Sequence, residues 1–279
     1  AAGRRVDHAI FDHDGTISVL REGWEKIMEP MMVRAVLGAC YATADEGVYH
    51  KVLTRVRAFI DATTGIQTLI QMQGLVKLVA EFGFVPKSEI LDEFGYKAIY
   101  NEALLDLVRR RLAKLGRGEL AVDDFVIKGV VPFLQRLRGA RVKLYLASGS
   151  DEGDVLSEAR ALGYAGLFEG RIYGAVGDAT KEAKRIVMDR IIRDIGAANV
   201  GSMAAFGDGP VEIRESRKRG GVAVGIASDE VRRFGLNSAK RRRLIRAGAD
   251  LIVPDFSQPD ILLQLLGLAG TSGTPPAAK

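Results

Sequence analysis

The 279-residue chain has a single cysteine, Cys40, so no disulfide can form within it and a bridge-stapled scaffold is excluded. No run approaches the roughly 18 apolar residues that a membrane-spanning helix needs, and no membrane partner is expected. No apolar signal-peptide core separates Ala1-Ala2-Gly3-Arg4-Arg5 from the first strand-like run, so the expected location is a reducing one, the cytoplasm. Aromatic side chains make up 7% of the chain. A nucleic-acid binder typically concentrates its basic residues and interleaves aromatics, so no nucleic acid is expected as a partner. Repeats with a period of about 20 to 50 residues are missing too, which excludes a solenoid.

Hydrophobic residues make up 47% and charged residues 27%. That is apolar material for one large domain or two modest ones, and it excludes disordered, collagen-like and coiled-coil chains. Forty Lys and Arg against 35 Asp and Glu give a net charge of +5, a mild bias toward anionic ligands. The densest basic cluster, Arg232, Arg233, Lys240, Arg241, Arg242, Arg243 and Arg246, reads as the solvated face of a surface helix.

Residues 6–11 form a short apolar-rich run ending in Asp12-His13-Asp14-Gly15-Thr16, the pattern of a buried strand that opens into a turn. From Ile17 to Gly118 the period becomes helical. Trp24, Ile27, Met28 and Met31 form one stripe, Val52, Val56, Phe59 and Ile60 a second, and Leu104, Leu105, Val108 and Leu112 a third. Beyond Gly118 the spacing predicts helices over 130–137, 186–195 and 261–268 and strands over 142–147, 202–206, 222–226 and 251–253. Strands separated by helices argue for a parallel, doubly wound sheet, with the helical stretch inserted after the first strand as its own small domain. The expected boundaries are 1–17 with 122–269 for the core and 18–121 for the insertion. The Gly-, Thr-, Pro- and Ala-rich tail 270–279 is expected to be disordered.

Ligands of open parallel sheets gather at the carboxyl ends of the strands. There the first strand carries Asp12 and Asp14, the strand over 142–147 carries Ser148-Gly149-Ser150, and the strand over 202–206 carries Gly207-Asp208, with Glu212 following. Lys181 lies at the start of the helix between the last two, behind Thr180 as N-cap; Lys184 is three residues on, nearly on the same face, and the choice between them stays open. Carboxylates suit Mg²⁺, which binds through one or two of them plus a substrate phosphate. A lysine and a hydroxyl hold the same phosphate as a point charge and a hydrogen-bond donor. Ser148, directly at its strand end, suits phosphate, and Ser150 suits the cap of the next helix. His8 and His50 lack ligand-like spacing and read as structural or exposed.

Asp12-x-Asp14-x-Thr16 after a hydrophobic strand, then Ser148, Lys181, and Gly207-Asp208 with Glu212 four residues on, resemble the four ordered motifs of the haloacid dehalogenase superfamily of phosphotransferases. The similarity covers roughly 5–17 and 125–265, and the inserted helices resemble the C1-type cap of its phosphoglycolate phosphatase and beta-phosphoglucomutase branch. The resemblance implies an α/β fold: a Rossmann-like doubly wound parallel sheet core with an inserted all-helical cap domain. It also implies a phosphoric monoester hydrolase. Asp12 would be the nucleophile that forms an aspartyl-phosphate, and Asp14 the general acid and then the base. Lys181, Thr16, Ser148 and Gly149 would bind the phosphate. Mg²⁺ would be held by Asp12, Asp14 through its backbone carbonyl, Asp208, and Glu212 through water. Dehalogenases lack a carboxylate at the place of Asp14, and the ion-pumping ATPases carry Thr there. Asp14 therefore implies phosphate-ester hydrolysis or transfer. Two positions depart from the pattern: His13, where relatives carry an apolar residue, and Glu212, where Asp is more usual.

Substrate choice falls to the cap, where Arg21, Trp24, Arg57, Gln67 and Gln71 are candidates, Gln67 foremost, and Thr63-Thr64-Gly65 is a candidate closing loop. The expected substrate is a small phosphorylated metabolite, a sugar phosphate or phosphoglycolate-like monoester, handled by a monomer or homodimer. A sugar phosphate mutase would keep the same core and shield the phosphoenzyme from water. A phosphonatase would need a cap lysine, and Lys26, Lys51, Lys77, Lys87 and Lys97 are all present. The non-enzymatic alternative, a basic binding or scaffold protein on the same fold, has no need of the full set of motif acids, serine and lysine.

Overall fold

The computed structural model describes residues 5–63, 68–176 and 183–268. The chain divides into two compact units, Gly23–Ala113 and Ala1–Glu22 with Lys114–Lys279. The smaller unit is helical, with α1 (Glu25–Leu37), α2 (Glu46–Thr63), α3 (Thr68–Phe82) and most of α4 (Glu93–Gly116). Apolar residues one turn apart build its core: Met28, Met32 and Val36 of α1, Val52 and Val56 of α2, Leu75 and Val79 of α3, and Tyr96, Tyr100 and Leu104 of α4. Trp24, at the N-cap of α1, packs against this core. Arg57 closes a two-pronged ion pair with Glu29, at 2.8 and 3.0 Å. Gln71 is buried, and its Nε2 donates to the Thr63 carbonyl and hydroxyl. Gln67, Thr64 and Gly65 lie outside the described residues.

The larger unit is built on six parallel strands, β1 (His8–Asp12), β2 (Lys143–Asp151), β3 (Ile172–Ala175), β4 (Met203–Gly207), β5 (Val222–Ile226) and β6 (Leu251–Val253), in the spatial order β3-β2-β1-β4-β5-β6. Its helices are α5 (Val130–Gly139), α6 (Glu152–Ala161), α7 (Ala183–Ile195), α8 (Pro210–Lys218), α9 (Ser238–Ala247) and α10 (Pro259–Leu265). β1 is central and buried at all five positions, so it reads as an apolar run rather than an alternation. Successive side chains of a strand face opposite ways. Ile10 and Ala205 accordingly meet Val187, Met188 and Ile191 of α7 on one face. Phe11 and Phe206, paired across β1 and β4 and stacked 4.4 Å apart, meet Phe133 of α5 on the other. Helices on both faces make the sheet doubly wound.

Two strands depart from the expected pattern. The edge strand β3 has no counterpart in the strands read from the sequence, because four residues of Ile-Tyr-Gly-Ala carry too little apolar run. β2 extends through Ser148, Gly149 and Ser150 to Asp151, with a register irregularity against β3 between Ala147 and Asp151. The units divide at 22/23 and 113/114, against the expected 17/18 and 121/122. Residues 17–19 are tied to the larger unit: Val19 N donates to the Phe125 carbonyl at 2.8 Å and Ile127 N to that of Ile17 at 2.9 Å. The tail 270–279 lies outside the described residues. Among the described residues, no helix is long and apolar enough to cross a membrane.

Candidate active site

The chain winds from β1 through β2 to β3 at one edge, then returns to place β4 on the other side of β1. Such a reversal opens a crevice at the carboxyl ends of the strands flanking it. Register aligns Asp12 with Ala147 and Phe11 with Phe206, so Asp12, Ser148 and Asp208 stand at neighbouring strand ends. Buried Asp12 accepts from His13 N at Oδ1, at 2.8 Å, and the Lys184 ammonium lies 2.8 Å from the same oxygen. Lys184 also reaches Glu212 Oε2 at 3.0 Å. It sits three and four residues before Val187 and Met188, both buried, and so continues the inward stripe of α7. Lys181 lies outside the described residues.

Asp12, Asp208 and Glu212 each offer an oxygen, all within 4.8 Å of one another. Burial pushes the Asp12 carboxyl well above the usual carboxylate range; Lys184 pulls it down, and Glu212 and Asp208 push it up again. An all-oxygen donor set with more negative than positive charge fits a hard divalent cation such as Mg²⁺. Glu212 is held by its own helix, since Gly209 N donates to its Oε1 at 2.8 Å. A Cβ at Gly207 would lie 2.1 Å from Glu212 Cγ, so only glycine admits the longer acid there. Gly15, with φ +73, lets the turn after β1 close on Asp208: a Cβ there would lie 2.6 Å from Asp208 Oδ2.

Asp14 belongs to a second, denser network. Arg21 Nε and His13 Nδ1 each lie 3.4 Å from its Oδ1, and Ser150 donates to Oδ2 at 3.3 Å. Arg21 also donates to Ser150 Oγ at 2.9 Å and pairs with Glu158 of α6 at 2.6 Å. His13 Nε2 lies 2.7 Å from the hydroxyl of buried Tyr164. Burial raises the Asp14 carboxyl, but Arg21 and His13 outweigh it and hold it below the usual range. Burial lifts Glu158 above its own.

Buried Ser148 accepts from Ser150 N at 3.0 Å, and a Cβ added at Gly149 would lie 3.7 Å from Lys184 Cβ. Thr16 is buried, and its hydroxyl has no hydrogen-bond partner among the described residues. Ser150 does not cap α6 as expected. Asp151 does, accepting from Gly153 N and Asp154 N, which frees Ser150 to bridge Arg21 and Asp14.

The basic cluster is likewise not all a solvated face. Arg232, Arg241, Arg242 and Arg246 are exposed, but Lys240 is buried, 2.8 Å from Asp208 Oδ2 and 2.6 Å from Glu230 Oε1. Burial raises the Asp208 carboxyl, but Lys240 first, then Lys184 and Arg243, bring it below the usual range. The signal for Lys240 was periodicity, since it shares one helix face with Leu244 and Ala247. Glu158 carried the same kind of signal, one turn from Val155 on the buried side of α6. Tyr164 had none.

A family model of haloacid dehalogenase-like hydrolases matches residues 6–217. No curated protein sequence matches the chain. Among solved structures, a predicted phosphoglycolate phosphatase from Haemophilus somnus 129PT superposes with a TM-score of 0.57 at 17% identity, over 92% of this chain and 96% of that one. A beta-phosphoglucomutase from Clostridium difficile gives 0.56 at 14% identity, over 91% and 92%. A HAD family hydrolase from Deinococcus radiodurans R1, solved with bound phosphate and sodium, gives 0.54 at 17% identity, over 95% and 98%. At these identities the likeness is one of fold, and it agrees with the parallel sheet and the separate helical unit. The family match spans well over half of the sequence and takes in Asp12, Asp14, Ser148, Asp208 and Glu212, and the chain belongs to the haloacid dehalogenase-like hydrolases.

Proposed function

We propose that this protein is a Mg²⁺-dependent phosphohydrolase that removes phosphate from a small phosphorylated metabolite, a sugar phosphate or phosphoglycolate-like monoester, through an aspartyl-phosphate on Asp12. It works in the cytoplasm as a monomer or homodimer. The observation that carries this reading is the meeting of Asp12 with the Lys184 ammonium and the Glu212 carboxylate, at 2.8 and 3.0 Å from that ammonium.

Lys184 and the His13 amide both hold Oδ1 of Asp12, which leaves Oδ2 to attack phosphorus. The bond to the alkoxide breaks, and the proton it needs comes from Asp14, two residues on. Water then attacks the aspartyl-phosphate and gives its proton to Asp14, regenerating Asp12 and releasing inorganic phosphate. Arg21 favours the ionised Asp14, the form that accepts a proton in this second step. Esters with good leaving groups, which need little protonation, should therefore turn over fastest. Lys184, the role expected of Lys181, neutralises the phosphate, and Ser148, Gly149 N–H and Thr16 supply donors to its oxygens. Asp12, Asp208 and Glu212, with the Asp14 carbonyl, would hold Mg²⁺, which when bound lowers the repulsion between a carboxylate and a phosphate dianion.

Hydrolysis of p-nitrophenyl phosphate with and without Mg²⁺, by wild type and Asp12→Asn, tests the reading. Activity is expected only with the metal and the aspartate. Turnover that survives Asp12→Asn or ignores EDTA would overturn it. A sugar phosphate returned as its positional isomer, without free phosphate, would replace hydrolase by mutase.

A further inference from the structure

A second buried ammonium stands at the acidic cluster, and the reaction above gives it no task. Lys240 lies beyond residue 217, where the family match ends. Its helix carries Arg241, Arg242 and Arg246 in solvent, yet Lys240 is only 7% exposed and shares the inward face with Leu244 and Ala247. A buried ammonium persists only when it is paired. Its partners are Asp208 Oδ2 at 2.8 Å and Glu230 Oε1 at 2.6 Å. The same helix grips Asp208 a second time, through Arg243 Nη2 on the Asp208 backbone carbonyl at 3.3 Å. A Cβ at Gly15 would lie 2.6 Å from Asp208 Oδ2 and 3.1 Å from Lys240 Nζ, so the turn after β1 packs directly against the pair.

We propose that Lys240, its charge shared with Glu230, is a positioning residue for Asp208 that commits one of the two carboxylate oxygens and weakens the hold of the acidic cluster on Mg²⁺. The inference rests on the reading of Asp208 as a metal ligand. Lys184 on Asp12 and Glu212 and Lys240 on Asp208 set two ammoniums against three carboxylates. A site so nearly balanced binds a divalent ion less tightly than three free carboxylates would. Glu230 sets the degree, because without it the whole charge of Lys240 falls on Asp208.

Calorimetric titration of the full-length protein with Mg²⁺ alone provides the test. Removing one positive charge a few ångströms from the ion in Lys240→Met should tighten Mg²⁺ binding about tenfold. Glu230→Gln should weaken it about threefold, and Lys240→Arg, which keeps the charge, should stay close to wild type. A merely structural lysine would not shift affinity in opposite directions in these two variants. Unchanged or weaker binding in a folded Lys240→Met overturns the proposal. Should that variant fail to fold, unchanged or tighter binding in Glu230→Gln does so. Asp208→Asn separates the two readings. If it binds Mg²⁺ like wild type, Asp208 is no metal ligand and the reading beneath falls; if it loses Mg²⁺ while Lys240→Met does not tighten, only the role of Lys240 falls.

Discussion

A carboxylate buried beside two others is a poor anion until cations join it, and at Asp12 the cation on hand is Lys184. Replacing Lys184 by Met should lower kcat/KM by about 100- to 1,000-fold, the range for losing one preorganised charge at the reacting centre. Lys181→Met should cost distinctly less, and steady-state kinetics on both variants decides between them. Lys184 was legible as an alternative because it lies three residues beyond Lys181 on nearly the same helix face; nothing in the local sequence decided between the two. His8 bears on stability rather than chemistry. Burial, with Lys143 nearby, lowers its imidazole below the ordinary 6.5, and its Nδ1 lies 3.1 Å from the Tyr145 hydroxyl. Between the lowered value and 6.5 the unfolded chain binds more protons, so stability rises with pH through that window and is lost as pH falls through it. Urea unfolding from about pH 5 to 8 should show this slope in wild type and a flatter one in His8→Gln.

At the scale of elements, the turn after β1 is the tightest joint in the site. Gly15→Ala would force a left-handed residue, at about 1–2 kcal/mol, and drive a methyl into Asp208. It should lower Tm and Mg²⁺-dependent activity together; a variant that loses neither would show that the joint is loose. Behind the site, Phe206 stacks on Phe11 and meets Phe133 edge-on, so Phe206→Ala should cost about 3–5 kcal/mol by denaturant unfolding. β1 and β5 were readable because buried parallel strands are unbroken apolar runs, and the half-buried edge strand β6 because Leu-Ile-Val is one too. β3 was not, since Gly174 and half-buried Tyr173 and Ala175 leave Ile172 as its one aliphatic residue larger than alanine. α9 misled through composition: its run of arginines hides an inward-facing lysine that only the 3.6-residue period picks out.

At the scale of the molecule, a ligand that binds only the folded state raises stability by mass action. Mg²⁺ at about 100 times its Kd should therefore add about 2.7 kcal/mol to wild type and nothing to Asp208→Asn, as read by the shift in unfolding midpoint. The sequence by itself determined the alternation of strands and helices, the helical insertion after the first strand, and the acids, serine and lysines waiting at strand and helix ends. These follow from periodicity and short-range turn chemistry, which are local. Only the tertiary structure decided that β4 lies against β1, that Lys184 meets Asp12, that Arg21 and Ser150 clamp Asp14, and that Lys240 crosses to Asp208. Apart from Arg21 and Asp14, those pairings join residues far apart along the chain, and a charge on a helix finds its partner only once the sheet beneath has set which face points inward.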